Sequence, residues 1–424
     1  MADRTNIPIK FSTLNCWGLK YISRFRKQRL TDIALALAAS TYDIVALQEV
    51  WVQEDIDFII ESTKDNLPHV KVFKAGIITG PGLMILSKFP IIASRLHNFV
   101  LNGRPSAFYR GDWYVGKSIG SVLIDHQPSG RMLQVFNTHM HAPYGPGDAA
   151  YECHRTAQAW TIAHLLQEAQ AMGYAVVAVG DFNSRPGSLP FDLITQIAAL
   201  GYQSVSRPRS GTLTAGEISP IEQIAKLGVT CDSQLNTWRK NRQINEACRL
   251  DYVFFSPASI TVRDIAVEFV ELYHGISVSD HFGVSVELSI LSDRDQGRRS
   301  SVSSAADALY PSMRRRIMQQ QMKLYLRTKN VIHDYIPTNL WQRKVRNTHF
   351  FVSIPVLAGI LTAVWFVPSY GGFILTFGTM VISTMGLLDG LIGYLFGRHE
   401  YRALMELLDE VEIEEATVKR TIAE

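Results

Sequence analysis

Eight polar residues of this chain sit where apolar runs begin or end. "STLNCWG" places Asn15 after the first run, "VALQEVW" places Glu49 after the next, and "FNTHMHA" gives His139. "VGDFNS" then gives Asp181 and Asn183, "LDYVFF" gives Asp251, and "SVSDHFG" gives Asp280 and His281. These residue types suit hydrolysis: carboxylates and amides ligate hard cations, and imidazoles exchange protons near neutral pH. Taken alone, a stretch such as "VVAVGDFNSRP" (176 to 186) reads more readily as a strand ending in a turn, because Asp, Asn and Gly are common turn formers. Six such stretches, all at the ends of apolar runs, are hard to assign to turns alone.

The runs themselves read as strands: 9–15, 43–50, 82–88, 120–126, 132–140, 175–183, 251–255 and 283–290 are rich in Val, Ile, Leu and Phe and have turn-forming flanks. Between them, "RLTDIALALAA" and "AAYECHRTAQAWTIAHLLQEAQAMG" space apolar residues by three and four, and Gly173 closes the second, as amphipathic helices require. The sum is a layered α/β domain with more strand than a simple doubly wound sheet. Its cysteines, Cys16, Cys153, Cys231 and Cys248, are widely spaced with no Cys-x-x-Cys pair, which fits reduced thiols and a cytosol-facing body. A formal charge of +3 is too small to argue for nucleic acid. The N-terminal stretch has no basic start followed by an apolar core, so no cleavable signal peptide is expected.

A mean hydropathy of +0.04 in a chain with 19% charged residues requires apolar residues to be concentrated somewhere. They lie after residue 349. Residues 350–368 carry no charge and are long enough to cross a bilayer as a helix; "SYGG" (369–372) reads as a tight turn, and 373–397 as a second span. The expected division is a catalytic domain over 1–291, a polar then basic juxtamembrane linker over 292–349, a transmembrane helical hairpin over 350–397 and an acidic helical tail over 398–424. Gly386, Gly390, Gly393 and Gly397 would let the arms approach closely, and Asp389 is expected to snorkel to the interface. Lys and Arg precede the first span and are missing from the turn, which places both termini in the cytosol and lets the basic run attract anionic lipids. "RRSSVSS" reads as flexible linker, with a basic-directed kinase site as the alternative.

The ordered set "LNCWG", "QEVW", "THMHA", "GDFN", "LDYVF" and "SDH" resembles the endonuclease/exonuclease/phosphatase superfamily, metal-dependent phosphodiesterases of the deoxyribonuclease-like fold, over roughly residues 9 to 290. The resemblance implies a four-layered α/β sandwich of two mixed sheets flanked by helices. With "GDWYVGKSIG" (111 to 120) and two C-terminal spans, the chain is most similar to the membrane-anchored neutral sphingomyelinases of that superfamily. That likeness implies Mg²⁺-dependent, phospholipase-C-type hydrolysis of sphingomyelin to ceramide and phosphocholine. Another phosphosphingolipid or a lysophospholipid is the alternative, and a membrane-tethered nuclease a less favoured one.

Carried over residue by residue, the resemblance assigns Glu49 with Asn15 to the metal, His281 to the general base and Asp251 to orienting that base. Asp181 and Asp280 would orient water or a second metal. Asn183 and His139 would donate to the phosphate, His139 also protonating the leaving group, while His141 and His154 are expected to be structural. Asp112 and Lys117 match the spacing of an ion-pair switch in related neutral sphingomyelinases; the bland alternative is a surface ion pair. Phe99, Phe108, Tyr109, Trp113 and Tyr114 are open between interfacial anchors and buried residues. The implied location is the endoplasmic reticulum or nuclear envelope, with a phospholipid substrate, no nucleic-acid partner, and self-association open to the hairpin or tail.

Overall fold

The computed structural model describes residues 8–145, 151–198, 200–202, 214–291 and 311–423. The Ser-rich stretch with "RRSSVSS" lies outside them. The chain forms two compact units, Met1–Asn102 with Gly111–Leu324, and Gly103–Arg110 with Tyr325–Glu424.

The first unit is built on two six-stranded sheets. One holds β1 (Pro8–Asn15), β2 (Ile44–Gln48), β3 (His69–Val72), β4 (Met84–Ser87), β11 (Ile260–Glu268) and β12 (Gly283–Ile290), in the order β11-β12-β1-β2-β4-β3. The other holds β5 (Ile91–Asn98), β6 (Ser118–His126), β7 (Arg131–His139), β8 (Ala175–Asp181), β9 (Gly201–Tyr202) and β10 (Asp251–Phe255), in the order β5-β6-β7-β8-β10-β9. β1 pairs with β2, and β7 with β8, in parallel; the other pairs are antiparallel.

Because side chains alternate across a strand, every second residue faces the partner sheet. Ile9, Phe11, Ile44, Ala46, Ile85, Val284 and Val286 from the first sheet pack against Val122, Val135, Val177, Val179 and Val253 from the second. The opposite phase of the first sheet, Leu14, Val45, Leu47 and Met84, meets Leu30, Ile33 and Leu37 of α1 (Arg26–Ala38) and Ile56 and Ile59 of α2 (Gln53–Thr63). α3 (Glu152–Ala171) and α4 (Leu189–Ile197) pack on each other, and α3 lies against β8. Helix, sheet, sheet and helix make the expected four layers.

The second unit contains α5 (Pro311–Ala363) from Tyr325 onward, α6 (Ser369–Leu391) and α7 (Gly397–Ala423), with a π-helical turn at Ile392–Phe396 joining the last two. The basic segment read as linker is therefore helical from Pro311 and continuous with the apolar stretch. The chain also reverses earlier than "SYGG" predicts, through a 3-10 turn at Val364–Phe366 and an extended Val367. Pro368 is the reason: it bars helical geometry in the residue before it and cannot donate to a preceding turn, yet it suits the start of the next helix. Gly371 and Gly372 consequently lie inside α6, where the Gly372 N–H donates to Pro368 O at 2.9 Å.

The helices approach along the expected glycines: a Cβ on Gly390 would lie 2.8 Å from the Phe350 ring, and one on Gly397 2.5 Å from Arg343. Asp389 pairs with Arg346 and with His349 Nδ1 at 2.8 Å on the facing helix. The acidic tail packs on the basic helix. Leu404 and Val411 are buried, Lys329 pairs with Glu415, Tyr325 donates to Glu414 at 3.1 Å, and Asn339 donates to Glu400 at 2.7 Å. Two helices of this unit are long and apolar enough to cross a membrane.

Candidate active site

Strand register alone brings the polar residues together. Asn15 ends β1 opposite Gln48, and Glu49 is the next residue of the chain. His139 ends β7 opposite Asp181, which ends β8 and is also paired with Asp251 at the start of the antiparallel β10. β12 runs antiparallel to β1, so Asp280 and His281, just before it, lie at the Asn15 end. Trp17, Glu49 and Asn183 adopt positive φ (48°, 59° and 46°), a conformation that side-chain-bearing residues rarely hold and that turns each chain segment sharply at the strand end. Beneath the site, Gln48 donates to Asn137 Oδ1 at 2.7 Å and ties the two sheets.

Asn15 Nδ2 donates to Glu49 Oε1 at 3.1 Å and to Asp181 Oδ2 at 3.0 Å. Its Oδ1 accepts from the Trp17 N–H at 3.0 Å, so Asn15 bridges the two carboxylates rather than presenting a free oxygen beside Glu49. His139 Nε2 lies 3.4 Å from Asp181 Oδ2 and 3.8 Å from Glu49 Oε1. His281 Nδ1 is 2.9 Å from Asp251 Oδ2, which leaves Nε2 facing Asp181 at 3.9 Å. Asn183 donates to Met140 O at 2.9 Å, and its N–H donates to Asp181 Oδ1 at 2.9 Å. All eight residues thus border one cleft; Asp280 stands at its rim, where Arg239 Nη2 reaches its Oδ2 at 2.5 Å.

Burial dominates the electrostatics. It pushes Glu49 up to about 7, helped by Asp280, and Asp181 up to about 6, helped by Asp251. His139 is driven well below 6.5 by burial and then by Lys117 and His281, so it is neutral and can donate a hydrogen bond but carries no charge to a leaving group. Burial pulls His281 down as well, but Asp251 and Asp181 outweigh it and hold the imidazole well above 6.5.

This donor set fits a hard divalent cation. Glu49 Oε2 and Asp251 Oδ1 are buried carboxylate oxygens without a hydrogen-bond partner, and Asp181, Asp251 and His281 each offer a ligand atom within 4.8 Å of the others. Glu49, with an unanswered oxygen at the cleft, would be the principal holder, because Asp251 and His281 already engage each other. A linked pH dependence follows. A carboxylate whose folded pKa is raised stabilises the fold below its unfolded value, and that contribution is lost as pH rises through the folded value. For Glu49 the window runs from 4.5 to about 7. The cation-free protein therefore loses stability across that window, and divalent-cation affinity rises across it with proton release. Calorimetry in buffers of different ionisation enthalpy measures the release; proton-independent binding would contradict it.

Asp112 and Lys117 are not a surface pair. Both are buried, 3.2 Å apart, with Lys117 donating to Met140 O at 3.3 Å and His141 Nε2 3.7 Å from Asp112. Met140 O, shared by Lys117 and Asn183, connects this pair to the cleft. Of the five aromatic residues left open, Phe99 is buried, Trp113 and Tyr114 are half-buried, and Phe108 and Tyr109 are exposed.

Two contributors escaped the sequence reading. Arg239, in the strandless segment "NTWRKNR", holds Asp280. Arg29, wholly buried, donates to Cys16 O (3.1 Å), Trp17 O (2.8 Å) and Val278 O (2.7 Å), binding the Asn15 strand end to the segment leading into Asp280. The only sequence signal was an arginine on the apolar face of α1, which ordinarily marks helix amphipathicity.

Residues 12–281 match the model of the endonuclease/exonuclease/phosphatase family, and the chain belongs to that family. It is 40% identical to the inositol phosphosphingolipids phospholipase C of Saccharomyces cerevisiae over 97% of this chain and 91% of the relative. It is 35% identical to the protein of the same name from Schizosaccharomyces pombe, over 98% and 96%. With sphingomyelin phosphodiesterase 2 of Homo sapiens it shares 33% identity over 47% of each chain.

Proposed function

We propose that this protein is a Mg²⁺-dependent phospholipase C that hydrolyses inositol phosphosphingolipids in a membrane. The observation that carries the reading is the extent of the likeness: both fungal relatives of that name align through the catalytic unit and both C-terminal helices. Sphingomyelin, the headgroup expected from the motifs, is the second reading, supported by the likeness to sphingomyelin phosphodiesterase 2. The coverage favours the first: the relatives of that name align with 97% and 98% of this chain, sphingomyelin phosphodiesterase 2 with 47%.

In this reading Asp251 holds His281 Nδ1, and in the neutral form of the imidazole, whose share grows as pH rises, Nε2 takes the proton of the attacking water. The water oxygen bonds to phosphorus as the bond from phosphorus to the ceramide oxygen breaks, while Asn183 and neutral His139 donate to the phosphate oxygens; the departing oxygen takes a proton from solvent and His281 returns its proton to solvent, giving ceramide and an inositol phosphate. Asn15 fixes the separation of Glu49 and Asp181. Arg239 keeps Asp280 beside His281, where Asp280 and Asp181 orient water or a second cation. A bound Mg²⁺, held by Glu49 next to Asn15, supplies positive charge to the phosphate and the departing oxygen. Asp112 and Lys117 act as a movable pair coupled to Asn183 through Met140 O. The catalytic domain over 1–291 faces the cytosol with both termini, tethered to the endoplasmic reticulum or nuclear envelope by the spans within 350–397. The basic cations outside the tail contacts attract anionic lipid, and self-association would use the hairpin or tail.

The test is hydrolysis in proteoliposomes across an inositol, choline and ethanolamine headgroup panel and a DNA duplex, with and without Mg²⁺. Wild type should prefer the inositol headgroup and require the cation, and Asp112→Ala should turn over more slowly while binding the cation normally. Preference for choline would install the second reading; DNA cleavage without lipid hydrolysis would remove both.

A further inference from the structure

The chain from Trp17 to Thr31 contains five basic residues and no acidic one. Within it, Tyr21 is 91%, Ile22 70% and Phe25 63% exposed, interleaved with exposed Lys20, Arg24 and Lys27. Large apolar side chains presented together and rimmed by cations are what an interfacial membrane anchor requires, the apolar part entering the acyl boundary and the cations meeting headgroup phosphates. The loop is built rather than loose. Arg29 Nε binds Arg24 O at 2.9 Å, and the same guanidinium holds Cys16 and Trp17 at the cleft. Phe25 is held at a φ of 50°, an outlier for a bulky residue, with its ring 6.3 Å from Trp238, which itself lies 5.3 Å from Trp17. One neighbour beyond Trp238 is Arg239, bonded to Asp280. A path of four aromatic and charged residues thus leads from the loop to the catalytic cleft. Lys27 shares a 3.5 Å pair with Glu54, but both are solvent-exposed and such pairs are weak.

We propose that the Lys20–Lys27 loop is a second membrane contact of the catalytic unit, seating Tyr21, Ile22 and Phe25 in an anionic phospholipid surface so that the cleft meets the headgroup layer. This rests on the reading of the protein as a lipid phosphodiesterase, and the test separates the two. All four native cysteines are buried. Full-length Ile22→Cys, labelled with an environment-sensitive fluorophore and reconstituted in phosphatidylcholine and phosphatidylserine nanodiscs, should shift to the blue. It should be quenched by spin-labelled lipid and become shielded from iodide, with less shielding when phosphatidylserine is omitted. Tyr21→Glu combined with Ile22→Glu should hydrolyse bilayer substrate about tenfold more slowly or worse, the equivalent of losing one buried apolar side chain, and leave hydrolysis of a water-soluble short-chain analogue unchanged. Equal iodide access in nanodiscs and detergent would overturn the inference, as would equal loss on both substrates. A shielded label in a protein that cleaves no phosphosphingolipid would uphold the membrane contact and sink the substrate reading.

Discussion

His281→Asn lowers phosphodiester hydrolysis by about 10² to 10⁴-fold, the range a positioned acid–base group contributes. Asparagine is the informative replacement. It can still donate to the buried Asp251, which is 1% exposed and would otherwise be left as an unpaired charge, but it cannot accept the water proton. Asp251→Asn tests the other half of the pair: an amide there no longer fixes the imidazole with Nε2 toward Asp181, so turnover falls while substrate affinity changes little. Activity of His281→Asn within tenfold of wild type would remove His281 from the reaction. The same variant has a stability signature. The imidazolium held by Asp251 and Asp181 has a raised folded pKa, so its contribution is fully present below 6.5 and is lost as pH rises through the folded value. The thermal stability gap between wild type and His281→Asn should therefore be widest in acid and close in alkali.

Arg29→Met destabilises the catalytic unit by about 3 to 5 kcal/mol, since it strips the donors from several buried carbonyls at once. Thermal unfolding of the detergent-solubilised chain measures it. Arg29→Lys should not restore the loss, because an ammonium is a point charge without the planar fork that reaches Cys16, Trp17 and Val278 together. A cost below about 1 kcal/mol for Arg29→Met, the level of an ordinary surface change, would show that the strand ends are held by other means.

The strands predicted from sequence are the inner ones, and the four that went unread, β3, β5, β9 and β11, are the edges of the two sheets. The cause is physical. An inner strand of a sandwich is apolar on both faces, as in Ile44–Gln48, where every residue is buried, whereas Ile91–Asn98 runs "IIASRLHN" with four consecutive exposed positions. The candidate site was legible because its residues cap those inner strands. Arg29, Arg239 and the early reversal at Pro368 were not: the first two act through contacts hundreds or tens of residues away, and the third depended on weighing one proline against two glycines.

The bond from Ser279 Oγ to Asn15 O, 2.5 Å long, joins residues 264 positions apart, and the bond from Asn15 to Asp181 spans 166. Closing such distances in the chain is slow and comes late in folding. No partly synthesised or clipped chain lacking the stretch around His281 brings these residues together, so the pocket forms in one event, once that stretch has joined the two sheets.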